Sequence, residues 1–118
     1  MRRSLTRKER LRSNGEIREL FATAARVEGR GVKLLYRRNG GGPNRLAVVV
    51  ARGCGGAVRR NREKRITREA YRSLKDTIIP GHDLVVFVVR FGEAFAERRR
   101  VLWQLIGRAG LRGGPRSP

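Results

Sequence analysis

Apolar positions recur along this chain with two periods, and the places where one period gives way to the other predict its elements. Ile17, Leu20, Phe21, Ala24 and Ala25 fall at i, i+3, i+4, i+7 and i+8, the spacing that collects side chains on one face of a helix. Ser13 and Glu16 stand at capping-box spacing at the head of that run, so the first helix begins there; Gly29 and Gly31 interrupt it. From Val32 to Arg38 the period becomes two, with Val32, Leu34 and Tyr36 on one side against Lys33, Leu35 and Arg37 on the other, the signature of a strand. Residues 39–44 hold three glycines and a proline and read as a turn. Residues 46–51 form a continuous apolar run, which predicts a buried strand. After Gly53-Cys54-Gly55-Gly56, residues 57–74 carry helix formers and few breakers until Pro80-Gly81. Residues 84–89 are a β-branched apolar run, and residues 94–106 repeat Val101, Leu102, Leu105 and Ile106 before Gly107.

The resulting order is α-β-β-α-β-α. A helix that crosses between two apolar strands predicts an α+β fold, a single-domain two-layer sandwich with helices packed on a small sheet. Residues 1–12 are too charged to bury much and are expected to form a flexible basic N-terminal arm. Residues 108–118, with three glycines and two prolines, are expected to fray as a flexible C-terminal tail. Residues 13–107 are left as the folded domain.

Composition narrows the partners. With 118 residues, 39% of them apolar, the chain can build one modest core. Its 29 Lys and Arg against 10 Asp and Glu give a formal charge of +19, which repels itself unless a polyanion neutralises it. No apolar run approaches the length of a membrane span, and the N-terminus leads into further charge, so nucleic acid is favoured and no membrane partner is expected. The single cysteine, Cys54, forms no internal disulfide and suits a reducing, cytoplasmic location. His82 is the only histidine, which excludes zinc-finger and multi-histidine metal sites. His82 reads as a surface residue in a turn and Cys54 as a small loop residue. A free-standing nuclease working through two metals needs clustered carboxylates; here they are scattered over all elements, so no residue is assigned a catalytic or metal-binding role.

The central helix concentrates the charge. Residues 57–72 contain seven basic and two acidic side chains. At about 100° per residue, Ile66, Ala70 and Leu74 fall on one arc, and Asn61, Lys64, Arg65, Arg68 and Arg72 on the opposite one. Like charges stand one turn apart, as at Lys64 and Arg68, which costs stability while the face is empty and is offset when phosphates occupy it. A merely solvated basic face is the plainer reading. The glycine-rich loop ahead of this helix serves equally as a plain turn or as a phosphate approach.

Arg60-Asn61-Arg62, followed by Lys64-Arg65 and Arg68-Glu69-Ala70-Tyr71-Arg72, strongly resembles the arginine-asparagine-arginine motif of the bacterial ribonuclease P protein family. The resemblance extends through Asn14-Gly15-Glu16-Ile17, Phe21, Leu34-Leu35-Tyr36, residues 45–50 and residues 81–86, and covers about residues 5–107. It implies the protein subunit of a ribonucleoprotein endoribonuclease that removes the 5′ leader of precursor tRNA. The catalytic RNA and precursor tRNA would be its partners, with no DNA partner. The RNA would supply the catalytic centre together with Mg2+, and the polypeptide would carry no cofactor. Arg60, Asn61, Arg62, Lys64, Arg65 and Arg68 would face the catalytic RNA, flanked by Arg52 and Arg72. Ile17, Phe21 and Tyr36 would line a cleft for the leader, although Ile17 and Phe21 also fit as ordinary core residues. The resemblance implies a left-handed crossover between the parallel strands. The sequence departs from the family in carrying Ile17 where an aromatic residue is usual, and Ala51-Arg52-Gly53 where two lysines commonly follow a serine. A ribosomal or other rRNA-binding protein is the alternative that shares this size, charge and fold class.

Overall fold

A computed structural model describes residues 5–113 of the chain. Helix α1 spans Asn14–Thr23, and its first turn is capped as the sequence implies, the Ser13 hydroxyl accepting from the Glu16 N–H at 3.2 Å. The Glu16 carboxylate does not reach back to Ser13; it accepts from Arg45 at 3.0 Å. The helix stops at Thr23 because Ala24 is already extended. Ala24 and Ala25 therefore do not continue the helical face. Ala25–Gly29 is instead strand β1, paired antiparallel with β2, Val32–Arg38. The two-residue turn between them, Arg30 and Gly31, has φ of 42° and 79°, the left-handed geometry whose twist suits a hairpin. A Cβ at Gly31 would lie 2.2 Å from that of Arg90, so this turn needs glycine for space as well as for backbone conformation. β1 escapes a periodicity search because it is short, charged and exposed on one side, with Val27, between Arg26 and Glu28, its one half-buried apolar side chain.

Strand β3 is Arg45–Val50, helix α2 Ala57–Leu74, strand β4 His82–Val88 and helix α3 Phe95–Arg108. The sheet has four strands in the order β1-β2-β4-β3. β2 and β4 are antiparallel, and β3 and β4 are parallel neighbours joined through α2. Strand alternation divides the apolar residues between two faces. Val32, Leu34, Leu46, Val48, Val50, Leu84, Val86 and Val88 pack with Ala70, Tyr71 and Leu74 of α2 and Val101, Leu102, Leu105 and Ile106 of α3. Leu35, Ala47 and Val85 pack on the other face with Leu20 of α1. The α2/α3 sandwich thus carries α1 as a partial layer on its far side.

Both ends of the described segment are docked further out than their charge implies. Leu11 is 4% exposed and its N–H donates to the Leu46 carbonyl at 2.9 Å, while Arg10 bridges Leu46 in parallel. Glu9 caps Thr6 and pairs with Lys75 at 3.1 Å. Residues 5–12 therefore lie along the β3 edge rather than forming a free arm, because two leucines and one carboxylate offset the cost of ordering the cations. At the other end Leu111 is buried, Arg112 bridges Ile78 and stacks over Trp103 at 3.8 Å, so the expected fraying does not begin at residue 108. Residues 1–4 and 114–118 lie outside the described residues. Cys54 stands in the loop between β3 and α2, as the sequence implies, but is buried in the main core at 1% exposure, and His82 is a half-buried first residue of β4 whose N–H donates to Asn44 at 2.7 Å.

α2 is not packed through apolar residues alone. Its buried residues are Glu63, Thr67, Ala70, Tyr71 and Leu74, with Ile66 only half-buried. Arg98 of α3, 1% exposed, donates to Thr67 at 2.9 Å, to Glu63 at 3.2 Å and to the Arg90 carbonyl at 3.3 Å. The second Glu63 oxygen accepts from the Gly92 N–H at 2.9 Å. Among the described residues no buried side-chain polar atom lacks a partner, as a buried ion pair requires.

Candidate nucleic-acid interface

With Glu63, Thr67, Ala70 and Leu74 turned inward, α2 presents its cations on the remaining surface. Arg60, Lys64, Arg68 and Arg72 stand at successive i, i+4 positions and form one stripe along the helix, with Arg65 beside it. Among the described residues, none of Lys64, Arg65, Arg68 and Arg72 pairs with a carboxylate. Burial and the neighbouring charge of Arg10 lower the affinity of Arg68 for its proton, although a guanidinium remains charged. The motif trio itself is divided. Asn61 is exposed. Arg62 lies 3.6 Å from Glu63. Arg60 donates to the carbonyls of Val50 and Ala51 at 2.9 and 3.2 Å, so part of its guanidinium closes the end of β3. Arg52 is exposed in the loop ahead of the helix.

A cleft of about 440 Å³ opens where the β3 edge passes between α1 and α2. α1 contributes Asn14, Ile17, Arg18 and Phe21, β3 contributes Val48, Val49 and Val50, and α2 contributes Arg60 and Lys64. Phe21 is held by an edge-to-face contact with Phe87, centroids 5.2 Å apart at 90°. The floor is apolar and both rims are cationic. Ile17 and Phe21 thus come together here, half-buried rather than sealed in the core.

Tyr36 is not in this cleft. It shares a face of β2 with Val32 and Leu34 and packs against the α2/α3 core, whereas α1 covers the opposite face, where Arg37 pairs with Glu19. Alternation along a strand sends neighbouring side chains to opposite sides, and this separates Tyr36 from Ile17 and Phe21. The structure adds Asn14 and Arg18, which sequence reading passed over. Asn14, Ile17, Arg18 and Phe21 stand at i, i+3, i+4 and i+7, so a helical face that mixes polar and apolar residues was the available signal. Among the described residues no three His, Cys, Asp or Glu gather as metal ligands, and no helix is long and apolar enough to cross a membrane.

A small α+β domain with one cation-striped helix bordering an apolar, cation-rimmed cleft has the surfaces of a nucleic-acid-binding protein. A family model described as Ribonuclease P matches residues 5–110. The ribonuclease P protein component of Thermotoga maritima is 40% identical over 86 residues, 73% of this chain and 74% of that protein; that of Desulfotalea psychrophila is 36% identical over 91 residues, 77% of this chain and 75% of that one. The solved structure of the Thermotoga maritima RNase P protein superposes with a TM-score of 0.75 at 34% identity, covering 85% of this chain and 96% of that one. The Staphylococcus aureus RNase P protein shares the fold with a TM-score of 0.76 at 22% identity, over 89% of this chain and 98% of that one. The chain belongs to the ribonuclease P protein family and acts as the protein subunit of that ribonucleoprotein endonuclease. These matches lend nothing to the rRNA-binding alternative.

Proposed function

We propose that the protein holds two RNAs at once, the catalytic RNA of ribonuclease P against the basic face of α2 and the single-stranded 5′ leader of precursor tRNA in the α1 cleft. The observation that carries this reading is the cleft, with Ile17, Phe21 and Val49 in its floor and Arg18, Arg60 and Lys64 at its rims. An unpaired strand offers flat apolar bases and a charged backbone, and these surfaces match both. Stacking on an aromatic side chain tolerates any base and is worth about 1 to 3 kcal/mol, which suits leaders of varied sequence. Asn61, Arg62, Lys64, Arg65 and Arg68, with Arg52 and Arg72 beside them, serve as contacts to the catalytic RNA. Arg60 combines cleft rim with backbone cap. In this reading the polypeptide positions RNA and catalyses nothing alone, and Mg2+ accompanies the RNA partner. A cytoplasmic location fits a single buried, unpaired cysteine.

The test is a reconstituted ribonucleoprotein with Phe21→Leu and Phe21→Ala. Phe21→Leu keeps most of the packing on Phe87 and removes the stacking ring, so precursor tRNA affinity should fall roughly 5- to 150-fold while mature tRNA affinity is unchanged. Equal losses for precursor and mature tRNA in both variants would remove the leader from the cleft.

A further inference from the structure

We propose that Arg10 joins Arg65, Arg68 and Arg72 of the basic α2 face to complete a recess built for one backbone phosphodiester and reached along the β3 edge from the α1 cleft. These four arginines line one recess of about 240 Å³ together with Leu5 and Glu69. The backbone that carries Arg10 is held in place. The Leu11 N–H bond to Leu46, the burial of Leu11 and the Glu9–Lys75 ion pair fix the backbone on either side of it. Among the described residues none of the four arginines pairs with a carboxylate, Glu69 included. Burial depresses the proton affinity of Arg68 first, and the like charge of Arg10 adds to it. Such crowding of like charge costs stability until an anion enters, and forked guanidiniums match phosphate oxygens.

The recess is also continuous with the cleft. A groove of about 210 Å³ between them shares Ile17 and Val48 with the cleft and Arg10 and Arg68 with the recess. The α2 stripe runs the same way, Arg60 and Lys64 at the cleft and Arg68 and Arg72 at the recess. A strand lying in the cleft can therefore pass its next phosphates to this site, an extension that rests on the reading of the cleft as a leader site. A phosphodiester of the catalytic RNA offers the same chemistry.

The experiment measures RNA affinity against salt for the full-length protein reconstituted with the catalytic RNA, comparing Arg10→Gln, Arg10→Lys and Arg7→Gln. Arg7 carries the same charge on the same segment but lies outside the recess. Arg10→Gln should flatten the slope of log affinity against log salt by about 0.7, one phosphate contact, and Arg10→Lys and Arg7→Gln should keep it. A change confined to precursor with a long leader, absent when the leader is trimmed to one nucleotide, assigns the phosphate to the leader. A change in assembly with the catalytic RNA assigns it there. An unchanged slope for Arg10→Gln with every RNA, or an equal change for Arg7→Gln, overturns the site. Failure of the Phe21 comparison alone would remove the leader from the cleft and leave this slope intact, so the two readings fail separately.

Discussion

Tyr36 and Phe21 show how far single residues could be read. The alternation that groups Tyr36 with Val32 and Leu34 is written in the sequence, but which face of the sheet α1 would cover is not, and that choice puts Tyr36 behind the sheet and Phe21 in the cleft. Asp83 teaches the same lesson for charge. Nothing in the local sequence marks it, yet it is 2% exposed and accepts two bonds from Arg45, at 2.8 and 2.7 Å, and one from Asn39 at 3.1 Å. Burial opposes its ionisation, but Arg45 and Asn39 outweigh burial and hold the carboxyl below its ordinary value. A carboxyl with a depressed folded pKa stabilises the protein above its unfolded pKa of about 4, and loses that contribution as pH falls through the folded value. Asp83→Asn should therefore be less stable than the parent at neutral pH, with the difference shrinking below about pH 4. Urea midpoints measured across that range would show it, and a constant difference would exclude Asp83 as the titrating group.

Among the elements, α2 departs most from its helical wheel. The wheel correctly sets cations opposite Ala70 and Leu74, but it seats Ile66 in the core, and the packed helix turns so that Glu63 and Thr67 are buried beneath Arg98 instead. A polar pair separated by 35 positions leaves no periodic trace, because each member reads as a surface residue until the other arrives. Removing one partner of a buried pair costs about 3 to 5 kcal/mol, whereas replacing both with apolar side chains is often nearly neutral. Arg98→Met should therefore lose several kcal/mol, and Arg98→Met combined with Glu63→Met should recover most of it by chemical denaturation. A double variant no better than the single one would show that the network is not what joins α3 to α2. The docked N-terminal segment was illegible for a related reason: its leucines are too sparse to count as a pattern, and only the β3 edge gives Leu11 a place.

For the molecule as a whole, charge is the property on which sequence and structure agree most closely. The formal +19 is not spread evenly; on α2, Lys64, Arg65, Arg68 and Arg72 form a run of cations free of carboxylate partners among the described residues. If about six phosphates are contacted at roughly −0.7 each, a fourfold rise in salt should weaken RNA binding on the order of 300-fold. A filter-binding series on the reconstituted particle measures this directly, and a flat profile would show that the stripe meets solvent rather than RNA.

Length, charge and the two apolar periods established the α+β class and the basic helix, and the arginine-asparagine-arginine segment carried the resemblance to the ribonuclease P family, since each is written in local sequence that a stretch of chain carries by itself. Folding alone settled that β1 exists, that the N-terminal segment is docked, that Tyr36 and Phe21 part company, and that Arg10 meets Arg68. Each of those depends on which distant surfaces come into contact, and a buried ion pair, a sheet edge or a cleft comes into being when two such surfaces close on each other.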